Sequence, residues 1–94
     1  MVKFRKRSRP QQPQNVIGKQ VRKLRHAREL TQETLAAKCN GLGWDLGRGT
    51  LAKIEAAVRC VTDAERFVLA KALKQELGDL HPQDERAVLA LFGE

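Results

Sequence analysis

The sequence is short of aromatic residues, cysteine, proline and long apolar runs. Aromatics make up 4% of the 94 residues, as three Phe, one Trp and no Tyr. That is too few for the stacking platforms on which proteins bind single-stranded RNA. Cys39 and Cys60 are the two cysteines. They lack the CxxC spacing of a metal knuckle and are too few for a disulfide framework, so both are expected as reduced, largely buried thiols. No apolar stretch approaches the roughly 20 residues that span a bilayer. The basic start runs into Gln, Pro and Asn rather than an apolar segment, so no secretory signal is expected. These absences predict a cytoplasmic protein without a membrane partner. The two histidines, His26 and His81, have no nucleophile at a recognisable spacing, and no glycine-rich phosphate loop follows a strand. No enzyme activity, cofactor, metal or small-molecule ligand is therefore expected.

Positive charge is plentiful and unevenly placed. The net charge is +7. Residues 1–30 carry +9, residues 31–60 carry +1 and residues 61–94 carry −3. Such a chain has one end that attracts a polyanion and one that avoids it. Lys3, Arg5, Lys6, Arg7 and Arg9 crowd the first segment, which Pro10 and Pro13 keep from becoming a helix. Residues 1–14 are thus expected to be a basic flexible arm, either a solubilising tail or a segment that meets a polyanion, and residues 15–94 form the domain.

Within the domain, apolar residues recur at helical spacing and no strand alternation is present. Asn15 is placed to cap a first helix that runs to about Glu29, with Ile17, Val21 and Leu24 inward and Lys19, Arg22, Lys23 and His26 outward. Arg25 falls at the edge of the apolar face. Thr31 caps a second helix from Gln32 to about Cys39, with Leu35, Ala36 and Cys39 inward. Three glycines between Asn40 and Gly47 break the helix, and the apolar residues among them predict a packed turn with Trp44 as its plug. A third helix spans about Arg48 to Ala57, burying Leu51, Ile54 and Val58, with Glu55 on the same face. Thr62 and Glu65 form a capping box for a fourth helix, whose apolar side is Phe67, Leu69, Ala70 and Leu73. Leu77 and Leu80 close that segment. Pro82 begins a fifth helix that ends near Phe92.

Two motifs in order give this pattern a family likeness. Leu30-Thr31-Gln32-Glu33-Thr34-Leu35-Ala36-Ala37-Lys38, then Thr50-Leu51-Ala52-Lys53-Ile54-Glu55, resembles the Cro/repressor-type (XRE-like) helix-turn-helix family. Leu69-Ala70-Lys71-Ala72-Leu73 is similar to that family's fourth helix. The resemblance covers about residues 16–80, with the helix-turn-helix unit at about 31–57. It implies an all-α, five-helix, lambda-repressor-like DNA-binding domain behind the basic arm. It places Gln32 at the start of the second helix, near the DNA backbone and the recognition helix. Arg48, Gly49 and Lys53 take base-facing positions, and Thr50 and Arg59 lie close to phosphates. Arginine and lysine there can reach the acceptors of guanine in the major groove. The turn is about five residues longer than usual, and Gly47 and Gly49 replace residues that would cap the recognition helix or touch bases.

The implied function is a sequence-specific transcriptional regulator, of the repressor kind, that binds double-stranded DNA. The alternative is an interaction module of the same fold, a bridging or antitoxin-like factor, motivated by the two glycines. Arg25 and Glu55 are expected to form an internal ion pair, because both lie on or beside apolar faces and the resemblance implies an arginine and a glutamate meeting there. A homodimer is expected through Val88, Leu91 and Phe92 of the fifth helix, unless that stripe closes the monomer core instead.

Overall fold

Four helices of eight to ten residues, each burying one face, account for most of the architecture. The computed structural model describes residues 12–89 and Phe92. In chain order the elements are α1 (Gly18–Ala27), α2 (Gln32–Gly41), α3 (Arg48–Glu55), α4 (Asp63–Ala72), a 3-10 turn (Leu77–Leu80) and the single-turn α5 (Glu85–Leu89). No strand occurs among the described residues. The five cationic residues of the arm, and Leu91 of the predicted interface, lie outside them.

Local chemistry starts the helices. Thr31 Oγ1 accepts from the Thr34 N–H at 3.0 Å. Thr62 Oγ1 accepts from the Glu65 N–H at 3.1 Å, and the Glu65 carboxylate accepts from the Thr62 N–H at 3.0 Å, closing a capping box. Asn15 Oδ1 takes the N–H groups of Ile17 and Gly18 at 3.0 and 2.8 Å, so it caps a first turn that becomes regular only at Gly18.

All four long helices stop the same way. Each ends with a paired i→i−5 and i→i−3 hydrogen bond about one left-handed residue, the Schellman arrangement. Those residues are Glu29, Gly43, Ala57 and Lys74, with φ of 58°, 108°, 62° and 57°. Only Gly43 adopts the conformation without a steric penalty.

These endings explain several departures from expectation. α1 stops at Ala27 because the chain reverses at Glu29. Asn40 and Gly41, expected in the turn, complete α2: Asn40 Nδ2 donates to the Ala36 carbonyl at 2.7 Å and across the turn to the Leu46 carbonyl at 2.8 Å. The turn itself is therefore only Leu42–Gly47. α3 stops at Glu55, and the reversal at Ala57 throws Val58 outward, leaving it 52% exposed rather than buried. Phe67 is 53% exposed: it lies two residues before the buried Leu69 and so across α4 from it, at the outer edge of the face that buries Ala70 and Leu73. Cys60 is exposed, not buried, while Cys39 is buried. Burial pushes the Cys39 thiol up to about 11, which keeps it protonated and inert at neutral pH.

The core gathers residues from every long helix. Val21, Leu35, Cys39, Leu51, Ile54, Leu69, Leu73 and Leu80 are its fully buried larger side chains. α3 packs on both α1 and α2, and α4 packs on α2 and the 3-10 turn, which also meets α1. Trp44 is half-buried against this core, beside the buried Leu46. Beyond Pro82 the helix described is Glu85–Leu89. Val88 is half-buried, whereas Leu89 and Phe92 are exposed.

Candidate nucleic-acid interface

The helix-turn-helix unit is held from below by a buried ionic network. Arg25 and Glu55 are both buried. Arg25 Nε donates to Glu55 Oε2 at 2.7 Å and Arg25 Nη2 to Oε1 at 3.1 Å, a bidentate pair between α1 and α3. Arg25 Nη1 donates to the Leu30 carbonyl at 2.8 Å. Gln32, the first residue of α2, donates from Nε2 to Glu55 Oε1 at 3.0 Å. One carboxylate thus joins three helices, and a lost partner would leave a buried charge uncompensated.

The C-terminal end of α3 has a second tie, which sequence reading missed. Asn15 Nδ2 donates to the carbonyls of Ile54 and Arg59, at 3.1 and 2.8 Å. The Gln14 N–H donates to the Ala57 carbonyl at 2.7 Å. Gly18 lies so close to this end that a Cβ there would collide with the backbone carbonyl oxygens of Ile54 and Glu55. The chain that leads back to the basic arm therefore enters the domain beside the end of α3.

The other end of α3 is open. Arg48 and Gly49 are exposed there and Thr50 is half-buried, while Lys53, in the last turn, is exposed as well. Among the described residues neither Arg48 nor Lys53 pairs with a carboxylate. Gly47 stands at the cap position without a side-chain hydrogen bond, and no acidic residue occupies the first turn. Between the end of α1 and the starts of α2 and α3 lies an open cleft of about 480 Å³, with Gln32 and Arg48 among its lining residues.

Arg59 is placed differently from the rest. Its Nη1 and Nη2 donate to the two Glu65 oxygens at 3.0 and 3.2 Å, and Nη1 also donates to the Cys60 carbonyl at 2.9 Å. The Arg59 hydrogen bonds hold the Glu65 carboxyl below its ordinary value, and Glu65 in turn raises Arg59. The guanidinium expected beside phosphates is thus engaged by a carboxylate that also serves the capping box of α4. Its structural task is to order the loop between α3 and α4. The signal available in the sequence was the capping-box glutamate six residues further on.

Two short helices joined by a turn, with the second anchored behind and bearing unpaired cations in front, define a helix-turn-helix module. No protein-family model matches the chain, and no curated protein does either. Among solved structures it is similar to the restriction-modification controller protein C.AhdI from Aeromonas hydrophila, with 34% sequence identity and a TM-score of 0.61. The likeness covers 68% of this chain and 89% of the controller. The chain belongs to the Cro/repressor-type (XRE-like) helix-turn-helix family.

Among the described residues no cluster of His, Cys, Asp or Glu could hold a metal. No described helix is long and apolar enough to cross a membrane.

Proposed function

We propose that this protein is a sequence-specific DNA-binding transcription regulator of the repressor kind, akin in role to the controller it resembles. The observation that carries the proposal is α3 itself. It is a helix of a known DNA-binding family, fixed at one end by Glu55 and Asn15, with Arg48 and Lys53 exposed and unpaired on its free part. α3 enters the major groove and α2 crosses the backbone. Arg48 and Lys53 read base edges, and Thr50 approaches a phosphate. Gln32 has one amide hydrogen committed to Glu55 and offers the other, with the backbone N–H groups of the first turn of α2, to a phosphate. Lys3, Arg5, Lys6, Arg7 and Arg9 add sequence-independent affinity from the arm.

One recognition helix reads only a few base pairs, so the working form is a homodimer reading two half-sites. The exposed Leu89 and Phe92, in the acidic third of the chain, support an interface there. A Val88→Asp, Phe92→Asp double variant should stay folded and sediment as a monomer. A dimer that survives both changes would place the interface elsewhere.

Selection of bound duplexes from a random pool tests the function directly. A regulator enriches one sequence and binds it on the order of a thousandfold or more tighter than random duplex. Arg48→Ala should cost about 1–3 kcal/mol on that sequence and much less on random DNA. No enrichment would favour the second reading, an interaction module of the same fold. That reading draws on Gly49, which leaves a base-facing position without a side chain.

A further inference from the structure

Two of the described glycines have a reason inside the molecule. Gly18 lets α1 touch the end of α3, and Gly43 takes a φ of 108°. Gly49 has neither reason. It lies inside α3, one residue past the helix start, and its backbone is ordinary helix. A Cβ built there meets nothing within 4 Å. Glycine weakens a helix through its backbone entropy, so the isolated domain gains nothing from it at this position. Gly47, at the cap position, is equally open. The surroundings of Gly49 are distinctive: Arg48 precedes it, and Lys53, four residues on, shares its helical face. Both of those cations are exposed and without a carboxylate partner among the described residues.

We infer that Gly49 is a specificity-determining residue of the DNA interface, where the backbone of α3 comes into van der Waals contact with base edges. The inference rests on the reading of α3 as the DNA-facing helix, and it opposes the view that glycine merely removes a contact. Glycine is the residue that lets a backbone approach a ligand most closely. A side chain here would hold the helix off the groove floor and draw Arg48 and Lys53 back from the acceptors they reach. Because the space is empty in the free protein, a substitution meets no clash within the fold, and any loss appears on binding.

The test uses the full chain and the duplex it enriches from a random pool, with melting curves alongside binding isotherms. Gly49→Ala should melt at the parent temperature or a few degrees above it. The same variant should bind the enriched duplex roughly tenfold or more weakly, a free-energy loss in the range of one base contact. Gly49→Ser should behave alike, and Gly49→Val should lose more, because the loss tracks side-chain size. Gly78→Ala, at another open glycine in the 3-10 turn, should leave affinity unchanged. If Gly49→Ala binds as tightly as the parent or tighter, while Arg48→Ala still weakens binding, the close approach is wrong and the DNA-facing helix stands. If neither substitution changes affinity, or no duplex is enriched, the DNA-facing reading fails and this inference fails with it.

Discussion

The two ends of α3 are built on opposite plans. At the C-terminal end nearly every polar group has an internal partner. Glu55 binds Arg25 and Gln32, and the carbonyls of Ile54, Ala57 and Arg59 accept from Asn15 or Gln14. Gly18 lets two backbones touch there. At the N-terminal end there is no side-chain cap, and the first two side chains are an exposed arginine and a hydrogen. The buried ties and the open start of the helix thus lie at opposite ends, with Lys53 exposed in the last turn between them. The tied end sets the direction of the helix, and the open end retains donors that have nothing to do inside the protein.

The largest way to break this arrangement is at Glu55. Glu55→Ala leaves the Arg25 guanidinium buried with only the Leu30 carbonyl as partner. It should cost about 3–5 kcal/mol, a large part of the stability of a domain this small. Denaturant melts would show the loss. Replacing both charges, Arg25→Met with Glu55→Leu, should recover much of it, since apolar side chains of similar volume carry no desolvation penalty. If the single and double variants were equally unstable, the network would owe its effect to packing rather than to charge.

Asn15 comes next. Its amide uses both ends, Oδ1 on the start of α1 and Nδ2 on two carbonyls beyond α3. Asn15→Ala should cost about 1–2 kcal/mol from the lost cap and the carbonyls left half-satisfied. Asn15→Asp keeps the cap but presents a carboxylate to the same carbonyls, so it should be no better than alanine. A melting temperature for Asn15→Asp close to the parent's would show that the Nδ2 bonds contribute little.

What could be read beforehand follows from how far each cause lies along the chain. Thr31, Thr62 and Glu65 cap through neighbours three residues away, so a short window contains the whole interaction. Leu35, Leu51, Ile54, Leu69 and Leu73 announce themselves by helical period. Arg25 and Glu55 stood out as charges on or beside apolar faces, and the family motif supplied their meeting. Phe67 and Val58 misled because apolar character alone does not say which side of a helix a residue occupies, or that the helix has already reversed. Asn15 acts across 39 and 44 residues, and Arg59 acts through a glutamate whose local role was already visible. Neither leaves a periodic trace. Gly18 was equally silent, because its purpose is the nearness of another helix.

The smallest test concerns how α3 ends. Ala57 holds a left-handed conformation, φ 62°, so that the Val58 N–H can reach the Lys53 carbonyl and the Ala57 carbonyl can accept from Gln14. For an L residue that conformation costs roughly 1–2 kcal/mol, whereas glycine adopts it freely. Glycine also has more freedom to lose from the unfolded chain, about 0.5–1 kcal/mol, so the gains partly cancel. Ala57→Gly should therefore stabilise by about 0.5–1 kcal/mol, a rise of a few degrees in melting temperature. The converse change, Gly43→Ala, puts a Cβ at φ 108° and should destabilise by at least as much, although nothing lies within 4 Å of that Cβ. Opposite signs at equivalent helix ends would locate the effect in the backbone. If Ala57→Gly instead lowered the melting temperature, the methyl group of Ala57 would be contributing contacts that outweigh the strain.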